Sequence, residues 1–292
     1  MLLEYTGMYH WLDNTSVSLW GLHRREQVSL IAHISDQHFY IGKGVMLDTD
    51  LELGFPDKPI EKLHIGDHVT LYGGKIAPKT LVIGDYTKIH DGVWCFGRSD
   101  CYIGYNSWFG RNCTLDCEGG FHVGDGFGAG EESKLWSHIR HGDILEGCRY
   151  LGFGKFRCGD DVWFVGRCSA SPVRVADRVV IFNESNVTKD IPNSNSVWAG
   201  NPAKEITDKL GPPYLGRTTY GKEKVFEDYI KIYLKKYPQD KARVALFQSG
   251  MSFAGRSYTK RLCDPDFEAR FMKFLLPEVK LVPSGERLPN YE

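Results

Sequence analysis

Aliphatic residues recur every six positions along most of this chain, and a glycine follows them in the strongest copies. The pattern is clearest at Ile65-Gly66-Asp67-His68-Val69 and returns at Ile83, Ile103, Val123 and Cys158. A helix repeats near 3.6 residues and a strand near two, so a sustained period of six requires another architecture. Ile65 to Ile83 spans eighteen residues, or three periods, which matches a triangular coil with one short strand per side. The sequence therefore predicts a β-solenoid.

The pattern also divides the chain. Residues 1–27 carry no clear period and are expected to cap the open end of the core, because terminal units of repeat proteins must cover it. Residues 28–204 carry the repeat and form the predicted solenoid domain. The repeat fails at residues 139–157, and insertions of this kind are expected to project as loops from one face.

Residues 205–292 change character and predict a small α/β extension. Apolar residues at helical spacing predict a helix over residues 222–237. Asp264-Pro265 is a favourable N-cap and first-turn pair, so a second helix is expected to start there and run through Phe274. Residues 242–248 and 279–282 are strand candidates. No function follows from this part of the sequence.

The charge balance narrows the possible partners. The 292 residues include 36 Lys and Arg against 37 Asp and Glu, and no basic tract alternates with aromatic residues. Nucleic acid is therefore not expected as a ligand. The first residues show no charged leader followed by an apolar run, and no apolar stretch is long enough to span a bilayer. We expect a cytoplasmic protein without a membrane span.

The eight cysteines are expected to be reduced core residues rather than metal ligands. Cys95, Cys113, Cys158 and Cys168 fall on the inward positions of the repeat, where a small apolar thiol packs well. The sequence contains no C-x-x-C, and the spacing of Cys113 and Cys117 lacks the second pair that a zinc site would use. No metal is expected.

Motifs near the end of the repeat closely resemble the hexapeptide-repeat acyltransferases. The chain reads V-T-K-D-I-P at residues 187–192 and G-N-P-A-K at residues 200–204, in the order in which that family ends its coil. Residues 158–164 are similar to the family's I-G-x-x-V-W-I turn, and Ser137-His138 is similar to its catalytic segment. The resemblance covers residues 30–205. It implies a left-handed parallel β-helix, a homotrimer with active sites between subunits, and acyl transfer from acyl-CoA to a hydroxyl or amine.

The resemblance implies that His138 is the general base of a direct transfer, without an acyl-enzyme. Imidazole titrates near neutrality and suits the removal of a proton from an attacking acceptor. His141, three residues later in the same segment, is the second candidate. A catalytic histidine is usually oriented by a group on its other ring nitrogen. The nearest carboxylates in sequence are those of Asp143, Glu131 and Glu132, and nothing in the sequence separates them.

The resemblance also places acetyl-CoA, or another acyl-CoA, as co-substrate. The positions that match the family's CoA contacts are Gly166, Asn183, Thr188, Lys189 and Lys204. Lysines suit the CoA phosphates as mobile point charges. The chain departs from the family where Phe182 and Glu184 replace small residues on either side of Asn183.

Three tryptophans are predicted to point outward. Trp94, Trp108 and Trp163 each occupy the sixth place of a repeat, and outward aromatic rings can stack on a sugar or adenine or bury at an interface. Trp163 heads the turn after the insertion, so it is added to the candidate cofactor-binding residues.

Three hypotheses of function follow. The first is an acyltransferase, with O-acetyl transfer to a hydroxyl of a sugar, glycan or glycan-like acceptor, and an amino-sugar nitrogen as the alternative acceptor. The second is a metalloenzyme similar to γ-class carbonic anhydrases, which requires three histidines and a paired His-x4-His. Neither His138/His141 nor His64/His68 has that spacing. The third is a non-catalytic scaffold in which the solenoid serves as an assembly surface and the C-terminal extension as a binding module.

Overall fold

The computed structural model describes residues 2–4, 31–35, 39–48, 50–260, 264–285 and 288–289. The predicted N-terminal cap therefore lies outside the described residues, except for Leu2–Glu4. These three residues form a strand that pairs antiparallel with Met46–Asp48.

Three parallel sheets form the sides of a solenoid of about eight turns, and each turn contributes one strand to each sheet. The prediction of a mainly β solenoid is confirmed. The parallel strands of sheet I are Met46–Asp48, Thr70–Leu71, Lys88–Ile89, Trp108–Phe109, Gly128–Ala129, Trp163–Phe164, Val180–Ile181 and Val197–Ala199. Lys204–Glu205 closes sheet I with an antiparallel pairing.

Sheet II follows sheet I in each turn, and sheet III follows sheet II. The strands of sheet II are Ile31–Ala32, Leu51–Leu53, Gly74–Ala77, Val93–Phe96, Thr114–Asp116, Lys134–Leu135, Ser169–Ala170 and Asn186–Val187. The strands of sheet III are Tyr40–Ile41, Lys62–Ile65, Thr80–Ile83, Asp100–Ile103, Phe121–Val123, Phe156–Cys158 and Arg174–Val175.

The inward positions of the repeat form one continuous core. Aliphatic residues fill most of it, and Cys95, Cys113, Cys158 and Cys168 are buried in it as predicted. In the middle turns phenylalanines take the place of aliphatic residues, and Phe121 and Phe156 stack there with ring centroids 5.0 Å apart. Burial of each large apolar side chain contributes roughly 1.5–3 kcal/mol. The side chains that set the six-residue pattern therefore also stabilise the coil.

A ladder of aspartates supports the corner between sheets III and I. Asp85 Oδ1 accepts a hydrogen bond from the backbone N–H of Asp67 at 2.8 Å, and Asp67 Oδ1 accepts one from Lys43. Asp125, Asp160 and Asp177 repeat the arrangement in later turns. Each carboxylate therefore satisfies a backbone donor of the preceding turn, which explains the Gly-Asp pairs of the repeat.

The insertion leaves the solenoid at the corner between sheets II and III. His138–Arg140 pairs antiparallel with Leu151–Phe153, and residues 141–150 connect the two strands of this hairpin. Sheet III continues across the insertion, because Phe156 pairs directly with Phe121 of the preceding turn. The predicted projecting loop is thus a hairpin on an undisturbed coil.

The described chain divides into two compact units, and the first runs to Tyr214. The residues that follow the solenoid still belong to this first unit: Ile206 N–H donates to Val197 O, and Tyr214 N–H donates to Asn195 Oδ1. A short helix α1, Thr207–Leu210, lies in this segment. The boundary therefore falls ten residues after the predicted start of the extension at residue 205.

The second unit, Leu215–Leu288, contains three helices and a small sheet. The helices are α2 (Thr219–Lys236), α3 (Lys241–Ser249) and α4 (Pro265–Leu275), with a 3₁₀ turn at Pro238–Asp240. The strands are Met251–Ser252, Ser257–Tyr258 and Val282–Pro283.

Both predicted helices of the extension are confirmed. Asp264 caps α4 by accepting a hydrogen bond from Phe267 N–H. The strand predicted at residues 242–248 is wrong, because those residues belong to α3, where Val244 and Phe247 are buried at helical spacing. The strand candidate at 279–282 reduces to Val282–Pro283. Within the described residues, no helix has the length and apolar character needed to cross a bilayer.

Candidate active site

The side chains of His138 and Asp116 meet where the insertion leaves the coil. Asp116 ends a strand of sheet II, and His138 begins the hairpin one turn later. Asp116 Oδ2 lies 2.6 Å from His138 Nδ1. The carboxylate is completely buried, whereas a quarter of the His138 side-chain surface is exposed. The pair therefore joins a buried acid to an imidazole that reaches solvent.

Backbone donors hold the Asp116 carboxylate in place. Oδ2 also accepts hydrogen bonds from the N–H groups of Ser137 and His138, at 2.8 and 3.0 Å. Oδ1 accepts a third from Glu118 N–H at 3.0 Å. A buried carboxylate is tolerated when its oxygens are satisfied in this way. The corner is thus built to hold the acid with little freedom.

This geometry defines the role of each nitrogen of His138. Because an ionised carboxylate is acceptor-only, the contact favours the tautomer in which Nδ1 carries the proton and donates to Asp116. Nε2 then holds the free lone pair of the neutral ring. Because Nδ1 is turned to the buried acid, Nε2 is the nitrogen available to an acceptor at the surface.

Asp143, expected among the candidates to orient the base, is not the partner of His138. It lies in the hairpin connection, where its Oδ1 accepts a hydrogen bond from Leu145 N–H. The physical reason is that residues one turn apart stack in a solenoid, whereas residues near His138 in sequence leave along the hairpin. The sequence interpretation missed Asp116.

His141 and the glutamates also lie apart from the pair. His141 is exposed in the connection of the hairpin. Glu131 and Glu132 are exposed at the corner between sheets I and II, on the other side of a strand of sheet II from His138. Of the sequence candidates for the base and its partner, only His138 contacts a buried carboxylate, that of Asp116.

Several cofactor candidates share the corner between sheets I and II. Gly166 and Asn183 occupy this corner in consecutive turns. The tail that leads to Lys204 reaches the same corner, because Ala203 N–H bonds to Asn186 O. Arg167, next to Gly166, lies 2.8 Å from the carboxylate of Glu184.

A cleft of about 470 Å³ lies on the same corner. It is lined by Asn112, Glu132, Lys134, Arg167, Cys168 and Ser169. Two of these side chains are cationic and exposed, which suits a ligand that carries phosphates. The departure at Phe182 and Glu184 is visible here, since Phe182 is exposed and Glu184 pairs with a cation of the cleft.

The remaining cofactor candidates lie elsewhere. Thr188 and Lys189 are exposed at the corner between sheets II and III, two turns beyond His138. Trp163 is exposed on the outer face of sheet I, in register with Trp108 across Gly128. The outward direction predicted for Trp94, Trp108 and Trp163 is confirmed. Within one chain, the candidates for the base and for CoA binding therefore occupy different corners.

Three buried cysteines form the one group of three potential metal ligands found within the described residues. Cys95 Sγ lies 3.9 Å from Cys101 Sγ and 3.6 Å from Cys117 Sγ. The hydrogen bonds of Cys95 with Cys101 and Cys117 lower the pKa of Cys95, whereas burial raises the pKa of Cys117 well above its ordinary value. The group contains no histidine, which a γ-class carbonic anhydrase site requires.

No family model matches the sequence. Among solved structures, the chain is similar to a maltose O-acetyltransferase from Clostridium difficile 630, with 25% identity over 45% of this chain and 67% of the other, at a TM-score of 0.34. It is also similar to AntD, an N-acyltransferase from Bacillus cereus, in complex with dTDP and 3-hydroxybutyryl-CoA. That match has 15% identity over 57% and 81% of the two chains, at a TM-score of 0.36.

A third similar structure is the polySia specific acetyltransferase NeuO, with 20% identity over 68% of this chain and 98% of the other, at a TM-score of 0.29. All three are acyltransferases.

Proposed function

We propose that this protein transfers an acyl group, most simply acetyl, from acyl-CoA to a hydroxyl group of a sugar or glycan. His138 acts as the general base and Asp116 orients it. The observation that carries the proposal is the 2.6 Å contact between the buried Asp116 carboxylate and His138 Nδ1. A scaffold has no need for a desolvated acid held against an exposed imidazole.

In the proposed reaction, His138 Nε2 takes the proton of the acceptor hydroxyl as its oxygen attacks the thioester carbonyl. The C–O bond forms, and collapse of the tetrahedral intermediate breaks the C–S bond. The proton on Nε2 passes to the departing sulfur, so the products are the ester and free CoA. Asp116 stabilises the imidazolium that exists between these two proton transfers.

The donor is proposed to bind along the corner between sheets I and II, with Gly166 and Asn183 at its floor and Lys204 near its phosphates. Thr188, Lys189 and Trp163 are assigned to donor binding from a neighbouring subunit. A homotrimer with sites between subunits would bring the two kinds of corner together, which a single chain does not. We include this assembly, and a cytoplasmic location where acyl-CoA is supplied, in the proposal.

Release of free CoA from acetyl-CoA over a panel of sugars and amino sugars tests this function. We expect His138→Ala to lower kcat by about 10²–10⁴, the usual contribution of a general base. His141→Ala is the matched control, since it removes a histidine three residues away, and it is expected to behave like the wild type.

Other outcomes would redirect the proposal. A wild-type protein that neither binds CoA nor releases it would contradict an acyltransferase. Full activity of His138→Ala together with loss in His141→Ala would move the base to His141. Loss of activity in Cys148→Ser would instead indicate a covalent thioester on the half-buried thiol of the hairpin connection.

A further inference from the structure

We infer that the acceptor carries an anionic group, a carboxylate or a phosphate, which binds Arg140 while its sugar ring rests on Phe153. This inference depends on the proposed function, because it uses His138 as the base. It goes beyond that function by naming the chemical class of the acceptor and two residues that would recognise it.

The hairpin brings the side chains of His138, Phe153 and Arg140 close together. Phe153 pairs directly with His138 across the two strands, and their rings are stacked with centroids 6.0 Å apart at 20°. Arg140 lies two residues after His138, so it shares the same face of its strand. Its guanidinium carbon lies 5.8 Å from the centroid of Phe153.

Both recognition residues are accessible. Phe153 is 54% exposed, so its ring is open to a ligand. Arg140 is exposed and has no carboxylate partner among the residues that the structure describes. Two other exposed arginines of the solenoid are paired, Arg98 with Glu118 and Arg111 with Asp91.

The spacing fits one substituted sugar ring. The guanidinium carbon and the imidazole centre each lie within about 6 Å of the Phe153 centroid, so they are at most about 12 Å apart. A ring stacked on Phe153 would present a hydroxyl to His138 at one edge and a charged substituent to Arg140 at the other. The planar guanidinium forms paired hydrogen bonds with carboxylate or phosphate.

Matched acceptors test the charge requirement. Glucuronic acid is compared with glucose, galacturonic acid with galactose, and glucose 6-phosphate with glucose, by following CoA release from acetyl-CoA. We expect at least one anionic sugar to have a kcat/KM about 10–100 times that of its neutral partner, as charge-assisted hydrogen bonds provide. The two carboxylates and the phosphate separate the two kinds of anion. Equal or higher kcat/KM for every neutral partner would overturn the inference.

Variants test the two residues. Arg140→Ala should reduce the ratio of anionic to neutral kcat/KM towards one, whereas Arg140→Lys should retain part of it. Arg149→Ala is the matched control, since Arg149 is another exposed arginine of the insertion. Phe153→Leu should raise KM for all sugars, and Phe153→Tyr should not. A ratio that falls equally in Arg140→Ala and Arg149→Ala would overturn the assignment.

Direct binding separates this inference from the proposed function. Calorimetry with glucuronic acid and glucose 6-phosphate, in the absence of acetyl-CoA, measures the acceptor site alone. Binding by the wild type that Arg140→Ala weakens at least tenfold supports the site even if no CoA is released. Catalysis with neutral sugars, without any binding of the anionic ones, would leave the function standing and overturn the inference.

Discussion

Asp116 satisfies four donors with two oxygens: the N–H groups of Glu118, Ser137 and His138, and the imidazole of His138. Three of these donors belong to the backbone of the corner. The same carboxylate therefore shapes the corner and orients the candidate base. Replacement of this residue is expected to separate the two roles.

We expect Asp116→Asn to lower kcat by about 10²–10⁴. An amide oxygen can accept from Nδ1–H, but without a negative charge it stabilises the imidazolium less. An amide NH₂ in that place would instead favour the tautomer with its proton on Nε2. KM for acetyl-CoA should change little, because Gly166, Asn183 and Lys204 lie on another corner and Thr188 and Lys189 lie two turns away. Steady-state CoA release measures both constants.

Stability and a matched variant distinguish catalysis from folding. Asp116→Asn should lower the free energy of unfolding by roughly 1–3 kcal/mol, since one buried acceptor is lost. Asp143→Asn removes an exposed carboxylate and should leave kcat unchanged. Equal kcat values for the Asp116 and Asp143 variants would contradict the role of Asp116.

The partner of His138 is hidden by distance along the chain, although the turn length would have revealed it. Leu115 pairs with Leu135, so this turn contains twenty residues. Counting back one turn from His138 reaches Glu118 and its neighbours, which include Asp116. Candidates taken from nearby sequence positions cannot succeed in a solenoid, where spatial neighbours are a whole turn apart.

At the scale of elements, two glycines at the corner between sheets I and II differ in how much space a side chain would have. A Cβ on Gly130 would overlap the backbone of Val165 in the next turn. A Cβ on Gly166 would meet nothing closer than Glu131 O at 3.7 Å. The first glycine is therefore required by stacking, and the second faces free space.

The two alanine variants should differ accordingly. Gly130→Ala is expected to destabilise the protein by about 1–3 kcal/mol, because two turns must move apart. Gly166→Ala should keep the wild-type stability but raise KM for acetyl-CoA about tenfold or more, since a methyl group narrows the proposed donor groove. Thermal unfolding and steady-state kinetics report the two effects. An unchanged KM in Gly166→Ala would place the groove elsewhere.

Elements are predicted well wherever a repeat imposes their pattern. The coil, its interruption and the inward cysteines all follow from the six-residue period. Outside the repeat, short segments are ambiguous: residues 242–248 resemble a strand but form α3, because tertiary packing selects the helical face of Val244 and Phe247. The sequence predicts the insertion only as a loop, whereas the structure shows a hairpin.

At the scale of the molecule, the second unit has its own buried core and polar centre. Asp240 is fully buried and bonds to Arg270 Nη2 and Tyr233 Oη, each at 2.7 Å. Arg243 adds a third contact at 3.0 Å. Burial alone would raise the pKa of Asp240, but these hydrogen bonds outweigh it and hold that pKa below its ordinary value.

A depressed carboxyl pKa makes the second unit sensitive to acid. The ionised carboxylate of Asp240 contributes its full stabilisation at pH values above its ordinary pKa of 3.8. This stabilisation is lost as the pH falls through the lower pKa of the folded state. We expect Asp240→Asn to lower the stability of this unit by about 1–3 kcal/mol near neutral pH and to remove part of its acid dependence.

Hydrogen exchange with peptide-level mass spectrometry checks this. In Asp240→Asn, exchange should rise in peptides of α2 and α4, while peptides of the solenoid sheets keep wild-type protection. The neighbouring exposed Asp228→Asn is the control. A rise spread equally over solenoid and second unit would show that the two unfold together.

The hairpin that carries Phe153 and Arg140 has a consequence for how such chains diversify. Sheet III resumes at Phe156, which pairs directly with Phe121, so the geometry of the coil does not depend on the number of inserted residues. Evolution can therefore lengthen, shorten or replace the tip of the hairpin without changing the fold of the coil. The carboxylate of Asp116 and the imidazole of His138 would keep their positions, because the coil fixes them. Under the proposed function, the residues that select the acceptor can therefore change while the base and its acid stay in place.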